Sequence, residues 1–166
     1  MENNCYMTLI TQEKYIPCTI RNAQRLKYLK SKYPLIAMVP KFDLNLKKQL
    51  EDKGVPVALI DLAKYIAGDK YLLYADTINK FKILTFTEYD KICFLDADML
   101  VLFNLDNEFD KVTDDQPFVA YSHELNSHGN GSLTGEMFIC KPNPDFYNKI
   151  KEISILKGHE NDEDTL

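Results

Sequence analysis

Apolar and polar positions along this chain alternate in blocks rather than residue by residue. Four short, almost wholly apolar runs stand out: "CYMTLI" (5–10), "PLIAMVP" (34–40), "VPVALID" (55–61) and "KICFLDADM" (91–99). Runs of this length without polar alternation predict strands buried on both faces. Between them, 13–32 predicts a helix with an early proline, and 43–54 another, with Asp43 as its N-cap and Gly54 as its stop. A helix-prone stretch that includes "TINKFKILTFTEY" (77–89) leads into the fourth run. Beyond it, "PFVAY" (117–121) and "GEMFICK" (135–141) predict two more strands, and 144–156 a last helix. Strand–helix–strand units with apolar strands imply an α/β fold, a mainly parallel central sheet with helices on both faces. With 166 residues, no repeat and no low-complexity linker, residues 1–166 are expected to form one domain.

Composition narrows the function classes. Lys and Arg total 20 against 25 Asp and Glu, a net charge of -5, which argues against a nucleic-acid-backbone binder. Cys5, Cys18, Cys93 and Cys140 form no C-x-x-C pair, and three of them sit in apolar runs. They read as buried free thiols, a usage suited to a reducing compartment. The first apolar run is too short for a secretory signal, and no stretch approaches the roughly 20 apolar residues of a membrane span. A cytoplasmic protein without a membrane partner is expected.

The fourth run carries the chemistry. Ile92, Cys93, Phe94 and Leu95 lead straight into Asp96, Ala97 and Asp98. In an α/β sheet of this kind, ligands gather at the carboxyl ends of the strands. If the extended geometry persists, Asp96 and Asp98 point to the same side and their charges repel. A divalent cation removes that conflict, and carboxylates without His or Cys nearby favour Mg or Mn, which commonly also holds a substrate phosphate. A bare D-x-D can equally cap the turn that leaves a strand.

"FLDADMLVLFNLDNEFD" (94–110) resembles the nucleotide-sugar signature of retaining glycosyltransferases of family 8, the glycogenin and galactinol synthase type. The likeness takes in the apolar strand, the D-x-D, a second apolar run and the Asn104-Leu105-Asp106 element. It extends upstream through "INKFKILTFTEYDKICFLDAD" and to the opening "MTLITQEKY". The resemblance implies a GT-A type, Rossmann-like fold and transfer of a hexose, glucose or galactose, from a UDP-sugar to a hydroxyl acceptor on a glycan, polyol or protein. It implies Mn2+ or Mg2+ on Asp96 and Asp98. Leu9, Thr11, Gln12 and Tyr15 would line the uracil and ribose pocket, with Gln12 in place of the glycogenin Asn. Ala97, Thr134 and Gly135 would complete the donor site, and Lys80 would approach the diphosphate and sugar. A homodimer is one assembly open to such a protein.

Two departures from the family stand out. In "LTGEMFICKP" (133–142), Thr134 replaces an Asn and Glu136 a Gly where sugar hydroxyls are read. The family's third metal ligand, a histidine in a Trp-containing segment, has no counterpart before Leu166, so the resemblance implies a domain lacking its C-terminal part. "NDEDTL" (161–166) resembles an acidic family element that makes Asp162 a catalytic candidate, with Asp164 as the other register. His123 and His128 lie in a Gly- and Ser-rich stretch that reads as a loop over the acceptor side. Two other functions compete. One is a nucleotide-sugar-binding module without turnover. The other is a phosphatase of the haloacid dehalogenase type, which wants Thr or Val where Leu100 stands.

Overall fold

The computed structural model describes residues 2–62, 77–122 and 133–157. Each apolar run becomes a strand, within a residue or two of its expected limits except the fourth, whose strand stops at residue 95, four short of 99. These are β1 (Asn4–Leu9), β2 (Leu35–Pro40), β3 (Val57–Ile60), β4 (Lys91–Leu95), β5 (Phe118–Ser122) and β6 (Leu133–Cys140). They form one sheet in the order β3-β2-β1-β4-β6-β5. The ladders β1–β2, β1–β4 and β2–β3 are parallel, and β6 runs antiparallel to both β4 and β5. All of β2 and β4 is buried, and all of β1 except the half-buried Leu9. Both faces are therefore covered, which is why these strands are apolar without alternation.

Helices α1 (Ile16–Tyr28), α2 (Leu44–Glu51) and α3 (Pro144–Lys157) supply much of that cover. On one face Ile16 of α1 packs with Leu46 and Leu50 of α2 and with Ala37 and Val39 of β2. Leu26 of α1 joins Phe109 and Val112 over Tyr6, Cys93 and Ile139. On the other face Phe81, Ile83 and Leu84 lie with Tyr147 and Ile150 of α3 against Met7, Met38, Phe94 and Phe138. Pro17 sits in the first turn of α1, where a missing N–H costs nothing. Asp43 caps α2 by accepting from Leu46 N at 3.0 Å. Gly54 closes the turn that follows α2 at φ +77°, a backbone value that favours glycine although space around it is open.

One element differs from expectation in kind. Thr77–Thr85 winds as a 3-10 helix, and the chain turns rather than continuing helically to Tyr89. Asn79, Lys80, Phe81, Ile83 and Leu84 are all buried, and only Ile78, Lys82 and Thr85 of residues 78–85 are less so. The segment is packed between the sheet and α3.

Candidate functional site

The strand order creates the site. From β1 the chain passes outward to β2 and β3, then returns across β1 to β4 on the far side. The carboxyl ends of β1 and β4 thus flank the topological switch point, where open α/β sheets bind their ligands. The β1 end continues into Leu9, Thr11, Gln12 and Tyr15, and the β4 end into Asp96, Ala97 and Asp98. The two ends meet: buried Ala97 packs in one cluster with Ile10 and Ile16, and Tyr15 lies against it.

The aspartates do not sit on a strand. β4 stops at Leu95, and Met99 N donates to Asp96 O at 3.2 Å, closing a turn over Ala97 and Asp98. The rule that residues i and i+2 share a strand face therefore does not govern this pair. Ala97 is buried and Asp98 exposed, while Asp96 is half-buried. The charge conflict expected from sequence is also met within the chain. Lys80 Nζ lies 3.3 Å from Asp96 Oδ1.

Lys80 is 4% exposed, unlike the solvated lysine common on helices. Besides Asp96, its ammonium donates to Gly135 O at 2.8 Å and lies 5.3 Å from the centre of the Phe94 ring. That carbonyl is available because β6 is irregular here. Ala120 pairs with Phe138 but Tyr121 pairs with Thr134, so residues 135–137 bulge out of the β5 ladder. Asp96 N donates to Glu136 O at 2.8 Å, so the same bulge anchors the start of the aspartate turn.

On the β1 side, Gln12 is exposed and its carbonyl accepts from Tyr15 N at 3.2 Å. The Tyr15 carbonyl accepts from Thr19 Oγ1 at 3.0 Å, and Lys14 Nζ stands 4.8 Å over the Tyr15 ring. Thr134 falls within β6 opposite Tyr121. Asp162, Asp164, His123 and His128 lie outside the described residues.

Several contacts around the turn had no counterpart in the sequence reading. Asn22 of α1 bonds Met99 O and Val101 N, and Arg25 bonds Val101 O and Leu102 O. Cys18 Sγ donates to Met99 O, and burial, then the Asp98 charge, pushes its thiol up. Asp106 accepts from Tyr6 OH at 2.8 Å, Ser31 Oγ at 2.6 Å and Lys32 N at 2.8 Å. Burial works against ionisation of Asp106, but these bonds and that of Asn104 hold its carboxyl below the ordinary 3.8. The one sequence signal for Asn22 is its place among Ile16, Thr19 and Leu26 on the buried stripe of α1.

Among the described residues no group of three His, Cys, Asp or Glu side chains comes together to hold a metal. Two adjacent carboxylates still suit a Mg-like or Mn-like ion, which takes one or two protein carboxylates and fills its other positions with phosphate and water. Also among the described residues, no helix is long and apolar enough to cross a membrane.

Sequence comparison decides the relationship. The chain is 32% identical to galactinol synthase 2 of Arabidopsis thaliana over 114 residues, 66% of this chain and 34% of that one. It is 25% identical to human glycogenin-1 across 95% of its length. The chain is a homologue of the galactinol synthases and glycogenins. It spans about a third of the former and, at 45%, less than half of glycogenin-1. No family model matches it. Among solved structures, the galactosyltransferase LgtC, determined with donor and acceptor sugar analogues, covers 98% of this homologue at a TM-score of 0.65 and 15% identity. That likeness establishes the GT-A architecture expected from the sequence.

Proposed function

We propose that the chain is the donor-binding part of a metal-dependent retaining glycosyltransferase that moves a hexose from a UDP-sugar to a hydroxyl acceptor. The observation that carries this reading is the ion pair of Asp96 with the buried cation Lys80 at the β1–β4 switch point, with Asp98 exposed on the same turn. Homology to galactinol synthases and glycogenins supports the transferase class over a phosphatase. That all described strands share one sheet supports reading 1–166 as a single domain.

Asp96 and Asp98 would hold Mn2+ or Mg2+, which would supply Lewis-acid stabilisation of a diphosphate worth several kcal/mol. The chain's own residues do the rest. Leu9, Thr11, Gln12 and Tyr15 bind the base and ribose, with the Tyr15 ring offering a stacking face. Lys80, already fixed beside Asp96, presents a positive charge where UDP leaves. Its amine needs no reorganisation, because Gly135 O and the Phe94 ring hold it in place. The sugar passes through an oxocarbenium-like state as its bond to UDP lengthens. Ala97, Thr134 and Gly135 line the sugar side, and Asp162 is the candidate for shielding or attacking the anomeric carbon.

Calorimetric titration of UDP-glucose with and without Mn2+, beside an Asp98→Ala variant and GDP-mannose, tests the reading. Uridine-selective binding that needs Mn2+ and disappears in the variant is expected, with UDP released on turnover. Binding without UDP release would leave a nucleotide-sugar-binding module. No binding under any condition would overturn the donor site.

A further inference from the structure

We propose that Asn22 is a positioning residue that sets the place of Asp98 relative to the base-side loop; the inference rests on the donor-site reading above. Asn22 is 3% exposed, and its amide spends both ends on one short stretch of backbone. Nδ2 donates to Met99 O at 2.8 Å, and Oδ1 accepts from Val101 N at 3.0 Å. The side chain therefore acts as a strand partner for the segment that leaves the aspartate turn. Arg25, three residues on and on the same helix face, extends the clamp to Val101 O at 3.2 Å and Leu102 O at 2.9 Å. Cys18, four residues before, reaches Met99 O at 3.1 Å.

Asp98 is thus held between two fixed points. Upstream, Asp96 N is bonded to the β6 bulge at Glu136 O; downstream, Met99 and Val101 are bonded to α1. Asp98 itself is exposed and contributes little to its own placement. The same helix begins at Ile16, directly after Tyr15. Six residues of rigid helix, about 9 Å at 1.5 Å per residue, separate that start from Asn22. α1 is therefore a spacer with the base-side loop at one end and the clamp on the metal-side turn in its middle. A nucleoside diphosphate must span those two places, so a shift at Asn22 changes the fit of base and phosphates together. Groups that orient a metal ligand typically alter metal affinity 10–100-fold when removed.

The test compares Asn22→Ala with Val55→Ala, a buried core change at a position with no part in the clamp. Three quantities are read: melting temperature, ligand-free amide exchange at Val101, and the affinity for Mn2+ in the presence of UDP. In Asn22→Ala, exchange at Val101 is expected to rise at least about tenfold and Mn2+ affinity to fall about tenfold. Val55→Ala should lower the melting temperature while leaving Val101 exchange and Mn2+ affinity unchanged. If Asn22→Ala does not fold, Arg25→Met at the half-buried edge of the clamp gives the same pattern at smaller amplitude. Unchanged Mn2+ affinity in the clamp variants, or an equal loss in Val55→Ala, overturns the proposal. A wild-type chain that takes up no Mn2+ instead overturns the donor-site reading, and Val101 exchange then decides the clamp alone.

Discussion

The two halves of the crevice lie at the same edge of one sheet and are built differently. Around the β4 end, buried side chains fix the backbone: Lys80 on Gly135 O of β6, and Asn22 on Met99 and Val101. After β1, one buried hydroxyl, Thr19 Oγ1 on Tyr15 O, is joined by restraints that are exposed. Glu13 accepts from Asn45 Nδ2 at 2.7 Å and Gln49 Nε2 at 3.1 Å, all at the surface. The difference follows from what each half would bind. Charge on a diphosphate is best met by groups already in place, since preorganised electrostatics lose nothing to rearrangement. A base offers a π-face and a few polar atoms, and an aromatic side chain on a looser turn can adapt to it.

Lys80→Met should break the contrast most. It strands Gly135 O, takes the Lys80 ammonium away from Asp96 and removes the fixed positive charge. Loss of one preorganised donor costs roughly 10²–10³ in turnover, to be read as UDP release under saturating Mn2+. An unmet buried carbonyl costs about 1–3 kcal/mol, to be read by urea unfolding. A rate within tenfold of wild type would show that Lys80 is structural only.

Asp106 tests whether the firm half depends on support from below. Its carboxyl is held low by its donors, so its stabilisation is present above the ordinary value of 3.8 and is lost as pH falls through the lowered one. Asp106→Ala should cost about 1.5–3 kcal/mol at pH 7, the worth of a hydrogen bond to a charged group. The gap from wild type should close in acid. Urea midpoints between pH 7 and pH 3 measure this, and a gap independent of pH would refute it.

Gln12→Asn should do least. Gln12 is exposed, so stability should stay within about 0.5 kcal/mol, and the KM for UDP-glucose should change only a few-fold. A large loss here would mean that the loose half is as demanding as the firm one.

The sequence made the strands legible because burial on both faces leaves an unbroken apolar run. Asp43 and Gly54 were equally readable, since each acts through its own local backbone. The aspartate pair was found, but not its shape: nothing in "LDADM" says that the strand ends at Leu95. Lys80 resembled any other helix lysine, because its burial depends on a bulge in β6 some 55 residues away. The Asn22 clamp spans 77 and 79 residues and was equally invisible. Local grammar is written in short runs, whereas the site is assembled from distant ones.

The thiols carry a practical consequence. Cys5, Cys93 and Cys140 lie on the three central strands, each fully buried and with its ionisation pushed up by that burial. Cys5 and Cys140 both pair with Ile92 from opposite sides, so two strand spacings, about 9.6 Å, separate them. A disulfide needs closer Cα atoms than that. Alkylating reagents can therefore reach these three sulfurs only when the centre of the sheet opens. Cys18, half-buried beside Asp98, is the one that can react while the fold is intact. Mass spectrometry after a timed pulse of reagent would thus give two clocks from one unmodified chain, three sulfurs timing global opening and one timing the loosening of the crevice.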